Sequence, residues 1–352
     1  MTNWWIAAES GYSRRGVAGP GPRERPGTAA KLRYGCEYRK QRDSGTPGRS
    51  RVSWTAAGVQ YWGWRVVSAA VGRLPVRAGY GIATVAGWVA YYGWPRGRRS
   101  MQANYAAVMP GASRGEIRRT ARGSLVNYCR YLADFVRLPR VGVDELRGLV
   151  DGNGQFELLD AELARGHGAV IVCMHFGNWD MGAGAAAARG LPLTVVAESF
   201  GDARLDKLVV GARERLGMQV VKMERAGPSL LRALKGNGLL ALLIDQPRGG
   251  DGVRVQFFGH EIEVPAGPAR MALRTGAKVI PAAFARVRPW RPEVMTLCDF
   301  GVALPDTGDR ERDVRELTQR IVAAHEGFIR ERPEQWYMFR PMFVRRAAAN
   351  PS

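Results

Sequence analysis

The pattern of apolar and polar positions changes character twice along the chain. Over residues 54–95, Trp54, Tyr61, Trp62, Trp64, Trp88, Tyr91, Tyr92 and Trp94 crowd a background of Gly, Ala and Val. From about residue 100, apolar positions recur at helical spacing over 100–108 and 114–138, with Pro110-Gly111 as the break between them. These two helices are expected to cover one face of a sheet. From residue 153, helical and strand patterns alternate: helices over 154–165, 181–189, 202–216 and 228–235, strands over 169–174, 193–198, 219–222 and 239–244. Alternation of this kind predicts an α/β fold with a mixed, largely parallel sheet flanked by helices. Past Asp245 the pattern shifts to a hairpin, 253–258 and 261–264 around Gly259-His260. A helix over 267–275, strands over 278–284 and 294–300, and a long amphipathic helix over 312–330 follow.

The ends of the chain read differently. Residues 1–52 are rich in Gly, Pro, Arg and Ser and have too little apolar surface to offset the entropy of ordering, so they are expected to be a disordered extension. Residues 53–346 read as one domain, with an α/β core over 100–346, and residues 347–352 as a tail. The 17 uncharged residues between Arg77 and Pro95 reach the lower edge of a membrane span. Gly79, Gly81, Gly87 and Gly93 weaken a helix there, and Arg65, Arg73 and Arg77 stand among the aromatics. Aromatics interleaved with arginines predict an amphipathic helical region lying in the headgroup layer, with a full span and an ordinary helical core as the alternatives. The cluster Pro95-Arg96-Gly97-Arg98-Arg99 suits anionic headgroups.

Candidate chemistry gathers where the apolar run 169–174 ends, in His175-Phe176-Gly177-Asn178-Trp179-Asp180. A histidine at a strand's carboxyl end, just before a helix, stands where open α/β sheets place their ligands. Gly177 permits a tight turn and Asn178 can cap the helix. Asp180 is then expected to fold back and accept a hydrogen bond from one imidazole nitrogen, leaving the other as a general base. The plainer alternative is a strand-end histidine satisfied by backbone and an aspartate that serves only the helix N-terminus.

Charge narrows the partners. A net charge of +20 implies an anionic one: a bilayer surface, a phosphorylated substrate or nucleic acid. The aromatics are concentrated while the basic residues are dispersed, so no stacking-plus-basic motif is present, and no nucleic acid partner is expected. Cys36, Cys129, Cys173 and Cys298 form no C-x-x-C pair. Neither His260-Glu261 nor His325-Glu326 is followed by the second histidine of a zincin helix, and no metal is expected.

The H-x4-D box of His175 and Asp180 is followed in order by Asp245-Gln246, Val255-Gln256-Phe257-Phe258-Gly259, Pro265-Ala266-Gly267-Pro268-Ala269 and Thr275-Gly276-Ala277. Together these resemble the bacterial lipid A and phosphatidylinositol mannoside acyltransferase family, part of the lysophospholipid acyltransferase superfamily, over residues 54–346. The resemblance implies a monomeric enzyme peripheral to the cytoplasmic face of the inner membrane. It would move a fatty acyl chain from acyl-CoA or acyl carrier protein to a glycolipid hydroxyl, without a cofactor. The run 333–343 and Val196-Ala197-Glu198 look closer to the mannoside-acylating branch. Lipid A precursors and lysophospholipids are the alternative acceptors.

The resemblance also assigns residues. His175 would take the acceptor's proton as its oxygen attacks the thioester. No serine or cysteine nucleophile is needed, which agrees with the absence of a G-x-S-x-G elbow. Asp245 matches an acidic residue that supports the histidine; as a bare strand-end aspartate before Pro247 it could equally cap a turn. Arg213 matches a family arginine, suited to a phosphate or a carboxylate, or else belongs to a solvated helix face. Glu198, ending the strand expected beside that of His175, matches an acidic site residue. Backbone amides near Gly177 or Gly267 are candidate oxyanion donors because glycine permits close approach. A rival reading takes Gly182-Ala183-Gly184-Ala185-Ala186-Ala187 as a dinucleotide fingerprint with Glu198 as the ribose acid. Those glycines lie inside the helix rather than in the turn that opens it, so close packing explains them better.

Overall fold

The structure, a computed structural model, describes residues 56–199, 202–223, 226–246 and 252–343. The expected extension over 1–52 and the tail over 347–352 lie outside these residues. Four helices lead in: α1 (Ala56–Val71), α2 (Val76–Gly93), α3 (Pro95–Val108) and α4 (Arg114–Arg137). A capping box starts α4, with Ser113 Oγ accepting from the Glu116 amide while the Glu116 carboxylate accepts from the Ser113 amide. A 3-10 turn over Leu138–Arg140 joins it to α5 (Val143–Leu149), a helix the apolar pattern did not announce.

The core is a seven-stranded sheet. In chain order its strands are β1 (Val150–Asp151), β2 (Ala169–Cys173), β3 (Leu193–Ala197), β4 (Gln219–Lys222), β5 (Leu239–Leu243), β8 (Lys278–Arg286) and β9 (Val294–Cys298). Their spatial order is β1-β9-β8-β2-β5-β3-β4. The five strands β8, β2, β5, β3 and β4 run parallel, and β9 adds antiparallel to β8, as the mixed sheet read from the alternation requires. Along β2 the side chains alternate between two buried faces: Val170 and Val172 join one core cluster, Ala169, Ile171 and Cys173 the other. A strand covered on both sides must be apolar at every position, which is why 169–174 carries no polar residue.

The remaining elements are the helices α6 (Gln155–Leu163), α7 (Trp179–Ala188), α8 (Ala203–Arg215), α9 (Ala226–Lys235), α10 (Gly267–Thr275) and α11 (Arg310–Glu331), with the hairpin β6 (Gly252–Phe257) and β7 (His260–Pro265). The hairpin turn is Phe258-Gly259, both at positive φ, one residue earlier than expected, so His260 begins a strand. One expected pairing also shifts. β5, not β3, is the neighbour of β2 on that side, so Glu198 stands two strands from the strand of His175 rather than beside it.

α2 is two-faced. Tyr80, Ala83, Gly87 and Tyr91 turn inwards, and a Cβ on Gly87 would come within 2.7 Å of the Val126 Cα, so the glycine lets α2 press on α4. Ile82, Val85, Trp88, Val89 and Tyr92 face outwards, each at least half exposed. The helical-core alternative therefore holds for one face only. No helix among the described residues is long and apolar enough to cross a membrane.

His325, on the buried side of α11, faces Val172 O at 3.0 Å from Nε2. Burial pushes its pKa down from 6.5 to about 4, against the smaller opposing effects of that carbonyl and of Asp245. The unfolded chain takes up this proton below pH 6.5 whereas the folded chain refuses it until about pH 4, so stability falls as pH falls across that window. His325→Gln, which keeps a donor for the carbonyl without a titrating ring, is expected to flatten the dependence of Tm on pH between 6.5 and 4. An unchanged slope would place the acid sensitivity elsewhere.

Candidate active site

β2 delivers His175 to the carboxyl edge of the sheet. There the chain turns sharply: the Phe176 amide donates to Met174 O at 2.7 Å, and Gly177 takes φ +60°. A Cβ on Gly177 would sit 1.9 Å from Phe284 O, so the position admits only glycine. Asn178 then caps α7, its Oδ1 accepting from the Met181 amide at 3.1 Å.

β5 brings Asp245 to the same edge, because Cys173 pairs with Leu243 and the Ile244 amide donates to Cys173 O. Asp245 is completely buried and grips His175 twice. Its Oδ2 accepts from the His175 amide at 2.8 Å, and its Oδ1 lies 2.6 Å from Nδ1 of the imidazole. Burial alone would raise the Asp245 pKa, but the adjacent His175 charge and the hydrogen bonds from its ring and amide outweigh burial and hold the carboxyl below its ordinary range. A carboxylate at Nδ1 fixes the tautomer with Nδ1 as donor, which puts the basic lone pair on Nε2.

Asp180 does not fold back to the imidazole. Its Oδ1 accepts from Arg213 Nε at 2.7 Å, and its Oδ2 from Arg213 Nη2 at 3.0 Å and Tyr131 Oη at 2.7 Å. The helix N-terminus points Asp180 across to α8 and α4, and the bidentate guanidinium satisfies it there. Arg213 is thereby a brace rather than a solvated side chain. Burial would lower its pKa, yet the Asp180 charge and hydrogen bonds raise it above the ordinary arginine value. This pair still reaches the histidine, through packing: Tyr131 stacks on Trp179 with centroids 4.2 Å apart, and Trp179 meets the His175 ring edge-on at 5.2 Å.

The three backbone amides after His175 are all spent, on Met174 O, Gln335 O and Phe284 O. The Gly177 amide is thus engaged at 2.8 Å with Gln335 and is not a ready oxyanion donor. Gly267 opens α10, where Pro268 contributes no N–H. Glu198 is exposed just past β3, its carbonyl 3.5 Å from Lys222 Nζ. His260 packs on Phe343 at 5.0 Å, away from this pair's hydrogen bonds. Gly182 explains the small-residue run: a Cβ there would meet the Phe284 ring at 2.2 Å, so the glycine serves helix–strand packing, not phosphate binding.

Two supports of the site escaped the sequence reading. Asp134 on α4 accepts from Asn178 Nδ2 at 3.0 Å, Arg286 Nη2 at 2.5 Å and Tyr80 Oη at 2.5 Å, so one buried carboxylate ties the α7 cap to α2 and β8. Its signal was a charge three residues after Tyr131 on the buried stripe of α4. The second is the stretch after the 3-10 turn Pro333–Gln335. Gln335 brackets the Arg286 backbone with both amide atoms, and the Tyr337 amide donates to His175 O at 2.7 Å. Asn104 clamps the same stretch through Met338 O, Arg340 O and the Met342 amide.

Comparison with known proteins identifies the family. The profile described as bacterial lipid A biosynthesis acyltransferase matches residues 50–345. A phosphatidylinositol mannoside acyltransferase of Mycobacterium tuberculosis (strain ATCC 25618 / H37Rv) is 31% identical over 303 residues, covering 84% of this chain and 91% of that protein. Another of the same name, from Mycolicibacterium smegmatis (strain ATCC 700084 / mc(2)155), is 29% identical over 291 residues, covering 80% and 89%. The chain belongs to the bacterial lipid A biosynthesis acyltransferase family and is an enzyme that transfers acyl groups.

Proposed function

We propose that this enzyme moves a fatty acyl chain from an acyl thioester, acyl-CoA or acyl carrier protein, to a hydroxyl of a phosphatidylinositol mannoside, with His175 as the general base. The observation that carries the reading is the double grip of Asp245 on His175, which presents Nε2 as the basic nitrogen. The acceptor hydroxyl gives its proton to Nε2 as its oxygen attacks the thioester carbonyl. The tetrahedral intermediate collapses, the carbon–sulfur bond breaks and a thiolate leaves. The imidazolium, stabilised by the Asp245 charge, then releases its proton to the thiolate or to water. Asp180 and Arg213 hold the Tyr131–Trp179 wall beside the ring rather than touching the reacting atoms. The choice of acceptor rests on the relatives, both named for phosphatidylinositol mannoside. Offering the purified protein a long-chain acyl-CoA with phosphatidylinositol mannoside, a lipid A precursor or a lysophospholipid, and reading products by mass spectrometry, tests it. Acylation of either alternative acceptor in preference would overturn the assignment.

A peripheral seat on the cytoplasmic face of the inner membrane belongs to the same proposal. The outward stripe of α2 is apolar and aromatic, and it is rimmed by cations: Arg122 lies 5.2 Å over the Trp88 ring, and Arg96 and Arg99 are exposed at the start of α3. A helix so divided lies in the headgroup layer with its apolar side down. Because its inner side is core, surface substitution is the test rather than removal of the helix. Val85→Glu/Val89→Glu is expected to reduce sedimentation with anionic vesicles several-fold while the circular dichroism spectrum is retained. High salt is expected to release part of the unsubstituted protein, since it screens the arginines but not the apolar contact. Unchanged sedimentation of the double variant would remove this face from the membrane.

A further inference from the structure

A basic cleft lies outside the His175 constellation. Open and of about 920 Å³, it runs between α1, the 3-10 turn after α4, α8 and the end of β4. Its lining carries seven arginines and lysines against two carboxylates, Asp206 and Glu214. Two of the cations are neutralised locally, Arg204 by Asp202 and Lys222 by Asp206. Five have no carboxylate within ion-pair distance among the described residues: Arg65, Arg73, Arg140, Lys207 and Arg215. Lys207, Gly211 and Arg215 follow at i, i+4 and i+8 and line the cleft, while Leu205 and Val209 on the same helix are buried in the core. Gathering like charges around a concavity costs self-repulsion that only an anion relieves.

Phe135, in the lining of the cleft, lies 6.3 Å from the Tyr131 ring, which stacks on Trp179, which in turn meets His175. Lys222 ends β4, and Arg204 follows the carboxyl end of β3, the sheet edge to which His175 belongs. Tyr61 and Trp64 add aromatic wall, and Ser68 brings a hydroxyl with no hydrogen-bond partner among the described residues.

We infer that this cleft holds the phosphate-bearing head of a substrate while the reacting group reaches His175. Guanidinium and ammonium groups recognise phosphate oxygens by charge-assisted hydrogen bonds, and aromatic walls suit the ring that carries the phosphate. Either substrate supplies that chemistry: the donor through the phosphates of coenzyme A, the acceptor through the phosphodiester of its inositol lipid. The assignment rests on the acyl-transfer reading for the choice of probes, but its test is a binding measurement that needs no turnover.

Titration calorimetry of the full chain with coenzyme A, and separately with glycerophosphoinositol, the water-soluble head of phosphatidylinositol, decides between the sources. Lys207→Glu/Arg215→Glu changes two exposed positions on α8, away from the apolar stripe of α2, and circular dichroism checks that it folds. The double reversal is expected to weaken the probe that occupies the cleft about 10- to 100-fold, with a matching loss of salt dependence. Weakening confined to coenzyme A assigns the donor, and weakening confined to glycerophosphoinositol assigns the acceptor. If the folded variant binds both probes as the unsubstituted chain does, or if neither probe binds the unsubstituted chain, the inference is overturned. A chain that bound its probe in the cleft yet transferred no acyl group would leave the site standing and remove the proposed function.

Discussion

Replacing His175 with Ala is expected to lower acyl transfer by about 10²–10⁴-fold, the range of one acid–base group, and further if acceptor positioning suffers. The fold should survive. The backbone links at this position, from its own amide to Asp245 and from the Tyr337 amide to its carbonyl, do not depend on the ring. A folded His175→Ala protein with near-normal transfer from an acyl thioester would sink the mechanism.

Asp245→Asn should approach the same loss by another route. An amide at this position has no charge to set against the imidazolium, and it can present an N–H to Nδ1, which favours the wrong tautomer. The pH–rate profile separates this effect from damage to the fold: with the negative charge gone, the limb on which the basic form appears should move to lower pH. Asp180→Asn should leave that limb in place. Asp180 spends its oxygens on Arg213 and Tyr131, so its substitution is expected to loosen the wall beside the ring and to show mainly in stability and acceptor KM. A shifted limb in Asp180→Asn with none in Asp245→Asn would reverse the two roles.

Much of the sheet was legible because buried strands leave a simple trace. The apolar runs at 169–174 and 239–244 became β2 and β5 within a residue, and 219–222 and 267–275 became β4 and α10 as read. Strand order was not legible. A crossover helix can return the chain to any vacant edge, so nothing in the local pattern says that β5 lies between β2 and β3. That order decides the site, since it makes Asp245 the neighbour of His175 and leaves Glu198 farther along the edge. Asp180 misled for a related reason. A five-residue separation suggested a local contact, whereas the residue's partners sit 33 and 49 positions away in sequence. α5 was missed because its seven residues are too few to establish a period.

A large stability cost is expected at Arg286, which no motif singles out and which lies two residues past the end of the strand expected over 278–284. Arg286 and Asp134 are 4% and 3% exposed at their side chains and lie 2.5 Å apart. Around them, Tyr80 donates to Asp134 and Arg286 Nη1 donates to Tyr80 Oη and to Arg291 O. Burial acting alone would lower the Arg286 pKa, but the Asp134 charge raises it, so the guanidinium stays ionised. Arg286→Met fills a similar volume and leaves Asp134 a buried charge without its ion-pair partner, with Tyr80 and Asn178 as its remaining hydrogen-bond donors among the described residues and Arg130 as the other cation nearby. The expected cost is about 3–5 kcal/mol of unfolding free energy, measured by urea denaturation. Restoring neutrality should recover most of it: in Asp134→Leu/Arg286→Met neither charge remains to be solvated, and the double variant should be more stable than Arg286→Met alone. Transfer activity is the informative second readout, because Asp134 also holds the Asn178 side chain that caps α7 beside His175. The double variant is expected to regain stability without regaining full activity, the cap having lost its anchor. An Arg286→Met protein within about 1 kcal/mol of the unsubstituted chain would mean that the network contributes little to holding α2, α4 and β8 together.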